Sequence, residues 1–125
     1  MKFASLIHRA ARVDASLQQA PDVLGMATRH GAAALGHETG QLAVGRKADV
    51  ILVDTRNVMF TPLIPGNADQ LYSHLVFAAN GSAVDTTIVD GRVLMRGRQL
   101  LTMDEPEILR QANVGLARVL DRIGS

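Results

Sequence analysis

The chain has 125 residues, 47% of them hydrophobic, and a formal net charge of +1. Thirteen Lys and Arg are interspersed with twelve Asp and Glu, so nucleic acid and acidic membrane are not the expected partners, since both select a basic patch. The absence of cysteine excludes disulfides and thiolate metal ligands.

The hydrophobic share is enough for one compact domain. No apolar run approaches the roughly 20 residues of a membrane span. The opening "MKFASLIHRAARVD" is interrupted by His8 and Arg9, which argues against a signal peptide. A cytoplasmic protein is the expectation. Within Lys2 to Val13, Phe3, Leu6, Ile7 and Ala10 recur at spacings of three and four, which predicts an amphipathic helix buried along that face. "APDVLGMATRHGAAALG" predicts a second helix. Pro21 suits its first turn, Asp22 its positive end, and Gly36 its C-terminal stop. Ala27, Ala32, Ala33 and Ala34 would let another element approach closely.

After Gly36 the period changes. "QLAV", "DVILVD", "TTIVD", "RVLM" and "QLL" predict short strands between Gly, Asp and Asn. Asp90-Gly91 between two apolar runs predicts a tight hairpin, and "RGRQ" around Gly97 a second reversal. "FTPLIPGNADQ", with Pro62, Pro65 and Gly66, predicts a loop. "ADQLYSHLVFAANG" predicts a short helical segment ending near Gly81. The last stretch, "TMDEPEILRQANVGLARVLDRI", predicts a helix capped by Thr102 or Asp104 with Pro106 in its first turn. Its apolar stripe of Ile108, Leu109, Leu116, Val119, Leu120 and Ile123 is expected to pack back on the strands. There is no internal repeat. The fold class is α+β: two N-terminal helices, a small and mostly antiparallel β layer, and a C-terminal helix.

The chemistry-bearing residues form no recognisable constellation. A hydrolytic zinc site needs three protein ligands and an open position. His8, His30, His37 and His74 make neither His-x-His nor His-Glu-x-x-His, so they read as surface or hydrogen-bonded structural histidines. Ser5, Ser16, Ser73, Ser82 and Ser125 lack a Gly-x-Ser-x-Gly elbow. Ser73 and His74 are sequence neighbours, which does not make a dyad. Asp49 and Asp54 bracket an apolar run and could act as an acid–base pair, but carboxylates at strand ends more often bind turn amides. Gly40 to Gly45 lacks the Lys-Ser/Thr of a phosphate loop. The methionines are spread out and suit core packing.

One segment carries a resemblance. "GQLAVGRKADVILVD", with Gly40, Leu42, Gly45, Ala48 and Asp49, follows a helix ending in "ALG". Together with "SHLVFAANGSAVDTTIVDGRVLM" it resembles the C-terminal portion of the amidohydrolase superfamily. Within it, the cytosine-deaminase-like and chlorohydrolase branch is most similar, and within that branch the 5-methylthioadenosine/S-adenosylhomocysteine deaminases. The resemblance implies a hydrolase of carbon–nitrogen bonds other than peptide bonds, in which a zinc- or iron-bound hydroxide attacks a ring carbon and releases ammonia. It also implies that residues 1–36 are remnants of the last helices of a (β/α)₈ barrel. Residues 37–125 would then be the C-terminal part of a composite β-sandwich, completed by N-terminal strands of a longer chain. The family's metal ligands lie upstream of the matched segment, so no catalytic, cofactor-binding or metal-ligating residue is carried over. Alternatives are a stand-alone structural or interaction module, and the small subunit of a split amidohydrolase closed by a barrel-containing partner chain. The expected partners are thus a second copy, with or without exchange of an element, or that barrel chain.

Overall fold

The fold is described for residues 1–124 in a computed structural model. It is α+β. Helix α1 spans Lys2–Arg12, α2 Ala20–Gly25 and α3 Gly31–Ala34, with a π-helical turn, Met26–His30, joining the last two. The strands are β1 (Val50–Val53), β2 (Val84–Val89), β3 (Arg92–Arg96) and β4 (Gln99–Leu100). Between β1 and β2 lies α4 (Ala68–Ser73), running into a π turn at His74–Ala78; α5 (Glu105–Ile123) closes the chain. The four strands form one antiparallel sheet in the order β1-β2-β3-β4.

The helix and turn signals act where expected. Gln19 and Asp22 form a reciprocal capping box at the start of α2, with Pro21 in its first turn. Gly36, at φ 71°, ends the helical run, and His37 N donates to Ala32 O at 2.9 Å, the six-to-one bond that satisfies a terminal carbonyl. Asp90 and Gly91 both have positive φ, 48° and 76°, which matches the right-handed twist of β2 and β3. Gly97 and Arg98 do the same for β3 and β4. Asp104 caps α5 by accepting from Glu107 N at 3.0 Å.

Three expectations are corrected. First, "QLAV" is not a strand. Gly40 and Gly45 both sit at φ above 80° and make this stretch a loop, with Leu42 and Val44 exposed. Second, α1 buries its other face. Phe3, Leu6 and Ile7 point outward, whereas Ser5 is fully buried and Ala4 and Arg9 are half-buried. The reason is the loop 14–19: Ser5 Oγ donates to Gln18 O at 2.7 Å, and Arg9 Nε to Leu17 O at 2.8 Å. Those bonds roll the small polar face inward. Third, α5 does not pack back on the strands; none of its residues is buried.

The interior is correspondingly small. Ala20, Val23, Ala32, Phe60, Val76 and Ala83 are the buried apolar residues among those described. Ala20, Val23 and Val76 form one cluster, with Ala4, Tyr72 and Phe77 against it, so the helical layer joins α1 and α2 to the α4 segment. The chain exposes 9345 Å², whereas a monomeric globule of its mass would expose about 6,500 Å². Large apolar side chains, among them Phe3, Leu35, Leu42, Val44 and Ile123, are exposed.

Candidate functional site

The segment Gly36 to Asp54 organises the surface between helices and sheet. Gly40 lies against the helical backbone: a Cβ there would stand 2.7 Å from Thr28 C and O. Only glycine permits that approach at φ 81°. Asp49 then ties three pieces together. One carboxylate oxygen accepts from Asp90 N at 2.7 Å, the other from Thr39 Oγ at 2.8 Å. The Asp90 amide, then the Thr39 hydroxyl, hold its carboxyl below the ordinary range. Lys47 N donates to Glu38 O at 3.0 Å, and Gly91 N to Ala48 O at 3.0 Å. Gly40 and Asp49 thus clamp the loop to the helix on one side and the β2–β3 turn on the other.

This clamp borders an open apolar groove of about 510 Å³. Ala27, Ala32 and Leu35 form its helical wall, and Val50, Ile51 and Ile88 its sheet wall. The alanine-rich helix surface read from the sequence is therefore one side of a cleft. His37, Thr39 and Asp49 stand at its rim, but Thr39 and Asp49 are already bonded to each other.

The remaining candidate residues are dispersed. His8 lies on α1 beside Arg12 and Asp14. His30 Nε2 accepts from Arg29 Nε at 3.2 Å. His74 Nε2 lies 3.0 Å from Pro62 O, with its ring 5.9 Å from that of Phe60, so it braces the 58–64 loop. Among the described residues no group of three His, Cys, Asp or Glu is placed to hold a metal ion. Ser16 Oγ donates to Asp14 at 2.6 Å, Ser82 N donates to Asn80 Oδ1, Ser73 is exposed, and Ser125 lies outside the described residues. Asp54, at the other end of β1 from Asp49, accepts from Arg56 N and Nε at 3.0 Å each; the Arg56 side chain, then its amide, lower its pKa. Both aspartates bind turn groups. Sequence reasoning missed two anchors, Ser5 and Arg9. Arg9 sets its guanidinium 5.5 Å from the Phe77 ring centroid and joins α1 to both the 14–19 loop and the α4 segment. A polar pair at i and i+4 inside an apolar stretch was the available signal.

Comparisons with known proteins agree with this geometry. The chain is 40% identical over its whole length to a 5′-deoxyadenosine deaminase of Methanosarcina mazei, covering 28% of that protein. It is 41% identical to a 5-methylthioadenosine/S-adenosylhomocysteine deaminase of Desulforudis audaxviator, again covering 28% of it. It thus spans little more than a quarter of the curated relatives it matches. Among solved structures, a zinc-bound adenosine deaminase from Xanthomonas campestris superposes with TM-score 0.84 at 28% identity, over 94% of this chain and 26% of that one. An atrazine chlorohydrolase from Arthrobacter aurescens shares the fold, with TM-score 0.75 at 24% identity over 90% of this chain and 24% of that one. The match is to the C-terminal part of such structures. Residues 1–94 match the model of the amidohydrolase family, and the chain belongs to that family.

Proposed function

We propose that this chain is the C-terminal, non-catalytic part of an amidohydrolase that deaminates adenosine-type nucleosides. Residues 1–36 are its last barrel helices and residues 37–125 its share of a composite β-sandwich. The observation that carries the reading is the end-to-end match, at 40% identity, to 28% of a 5′-deoxyadenosine deaminase. The surface supports it. β1 is an edge strand with Ile51 and Leu52 more than half exposed, and an exposed apolar edge of this kind is normally covered or paired. The zinc named for the Xanthomonas structure does not fit the residues present. The four histidines lie on separate elements and His74 is engaged with Pro62 O. The role left to this chain is to brace: the Gly40–Asp49 clamp holds the helices and the sheet in fixed relation.

Two proteins test the reading. The isolated chain, incubated with 5′-deoxyadenosine or 5-methylthioadenosine, should show no loss of the adenine absorbance. The part of the Methanosarcina enzyme upstream of the match, fused to this chain, should deaminate both within about 100-fold of the parent, the scale of loss that slight misplacement causes. Turnover by the isolated chain, or a folded, zinc-loaded fusion without turnover, overturns the proposal. Turnover on mixing the same two pieces as separate chains would replace it with the split-enzyme form.

A further inference from the structure

The asparagines of the chain are Asn57, Asn67, Asn80 and Asn113, and of these Asn80 alone precedes a glycine. Asn80 and Gly81 are both exposed. They lie between the α4 segment and β2, where Gly81–Ala83 forms a 3₁₀ turn. Asn80 Oδ1 accepts from Ser82 N at 2.9 Å. The ring closed by that bond contains both the side-chain amide carbon and Gly81 N, which keeps the two on one side of the chain. Gly81 is the first residue of the turn, so the turn makes no use of its N–H. A Cβ built at Gly81 meets nothing within 4 Å.

We propose that Asn80–Gly81 is a site of spontaneous covalent modification, at which the folded chain converts Asn80 to a mixture of aspartate and isoaspartate. Gly81 N gives up its proton and attacks Asn80 Cγ. A Cγ–N bond forms, the Cγ–Nδ2 bond breaks, and Nδ2 leaves with that proton as ammonia. Charge developing on Oδ1 meets the Ser82 N–H already bonded to it, a donor set in place beforehand. Ring closure turns ψ of Asn80 away from its extended −178°, and the open space around Gly81 gives that rotation room. Solvent water then opens the five-membered imide. Attack at Cγ breaks the new bond and gives aspartate. Attack at the main-chain carbonyl breaks the original peptide bond and leaves Gly81 joined through Cγ, which is isoaspartate. Either way a water hydrogen returns to Gly81 N and one carboxylate is added to the surface. The same chain carries two controls. Asn57 Oδ1 accepts from Met59 N, also at 2.9 Å, but Val58 follows and sets a branched side chain beside the attacking nitrogen. Asn67 is exposed, but Ala68 follows. What separates Asn80 is the missing side chain on its neighbour. The products differ in what they do to the fold. Aspartate keeps an oxygen for Ser82 N. Isoaspartate lengthens the main chain by one methylene, where Ala83 N donates to Asn80 O at 3.1 Å and Asp54 N to Ala83 O at 2.8 Å. Ala83 is 1% exposed, so the lengthening is felt where β2 begins and β1 ends. The inference does not rest on the proposed function.

The folded 125-residue chain, aged in heavy-oxygen water at mildly alkaline pH and mapped by peptide mass spectrometry with fragmentation that separates isoaspartate from aspartate, tests it. Label should enter at residue 80 and not at Asn57 or Asn67, as both isomers, at a rate that rises with pH because the attack needs a deprotonated amide. Gly81 lies outside the left-handed region, so Gly81→Ala should fold, as circular dichroism checks, and should slow the conversion several-fold. Aged chain enriched in isoaspartate should show a lowered urea midpoint. Asn80→Ser keeps an oxygen for the turn, and its midpoint should not change on the same ageing. An unlabelled residue 80 in the folded chain, aspartate without isoaspartate, equal labelling of Asn57, or conversion seen only in urea each overturns the proposal. So does a Gly81→Ala chain that is folded and converts at the parent's rate.

Discussion

Gly40 and Asp49 do most to give the loop between helix and sheet its shape, and they do so in different ways. Gly40 supplies a backbone conformation and a missing side chain; with φ at 81° and Thr28 O only 2.7 Å from a built Cβ, alanine there must displace helical backbone. Gly40→Ala should cost roughly 2–4 kcal/mol, combining left-handed strain with overpacking, read as a lowered urea midpoint at unchanged slope. Asp49 acts through charge. Its folded pKa is lowered by the Asp90 amide and the Thr39 hydroxyl, so its contribution is complete above the unfolded value of about 3.9. That contribution is lost as pH falls through the lowered folded value. Asp49→Asn should therefore melt lower than the parent near pH 6, and the gap should close as the pH falls through the lowered folded value. Parallel melting curves across that range would show that the carboxylate does not act this way.

Helices α1 and α5 show how an element can be read correctly and placed wrongly. Both are helices where the periodicity predicts them, yet neither buries its apolar stripe. In α1 the hydrogen bonds of Ser5 and Arg9 to the 14–19 loop outcompete the greasy face, because buried donors left without acceptors are costly. The same helix ends on a strained residue. Val13 takes φ 51° as its left-handed cap and is 94% exposed, so its side chain contributes strain without packing. Left-handed backbone costs a β-branched residue about 1–2 kcal/mol, more than the extra unfolded-state entropy of glycine. Val13→Gly should raise stability by roughly 0.5–1 kcal/mol, measured as an increase in the urea midpoint; a decrease would mean that Val13 packs on something.

At the scale of the molecule the controlling quantity is surface. An exposure of 9345 Å² exceeds that of a globule of this mass by roughly 2,900 Å². Phe3 and Ile7 on α1, Ile51 and Leu52 on β1, and the apolar stripe of α5 are parts of it. The small cluster around Val23 and Val76 has to hold this together. Metal is not expected to help. Dialysed chain should retain less than about a tenth of an equivalent of zinc, since a structural site needs four ligands and a catalytic one three, and a chelator should leave its melting temperature unchanged. Near-stoichiometric zinc would mean that histidines on separate elements come together.

What the sequence determined by itself were the local features: Pro21 and Asp22 in the first turn of α2, the cap at Asp104, the helix stop at Gly36, the two glycine-bearing hairpin turns, and the family, carried by Gly40 to Asp54. Each depends on residues close along the chain, whose conformational preferences are nearly independent of the rest of the molecule. Only the tertiary structure decided that "QLAV" is a loop, that α1 turns Ser5 inward, and that α5 stands clear of the sheet. A strand needs a pairing partner, and a helix face is chosen by whatever acceptors and apolar area its neighbours offer. Hydrophobic periodicity tells which residues share a face, but not what that face will meet.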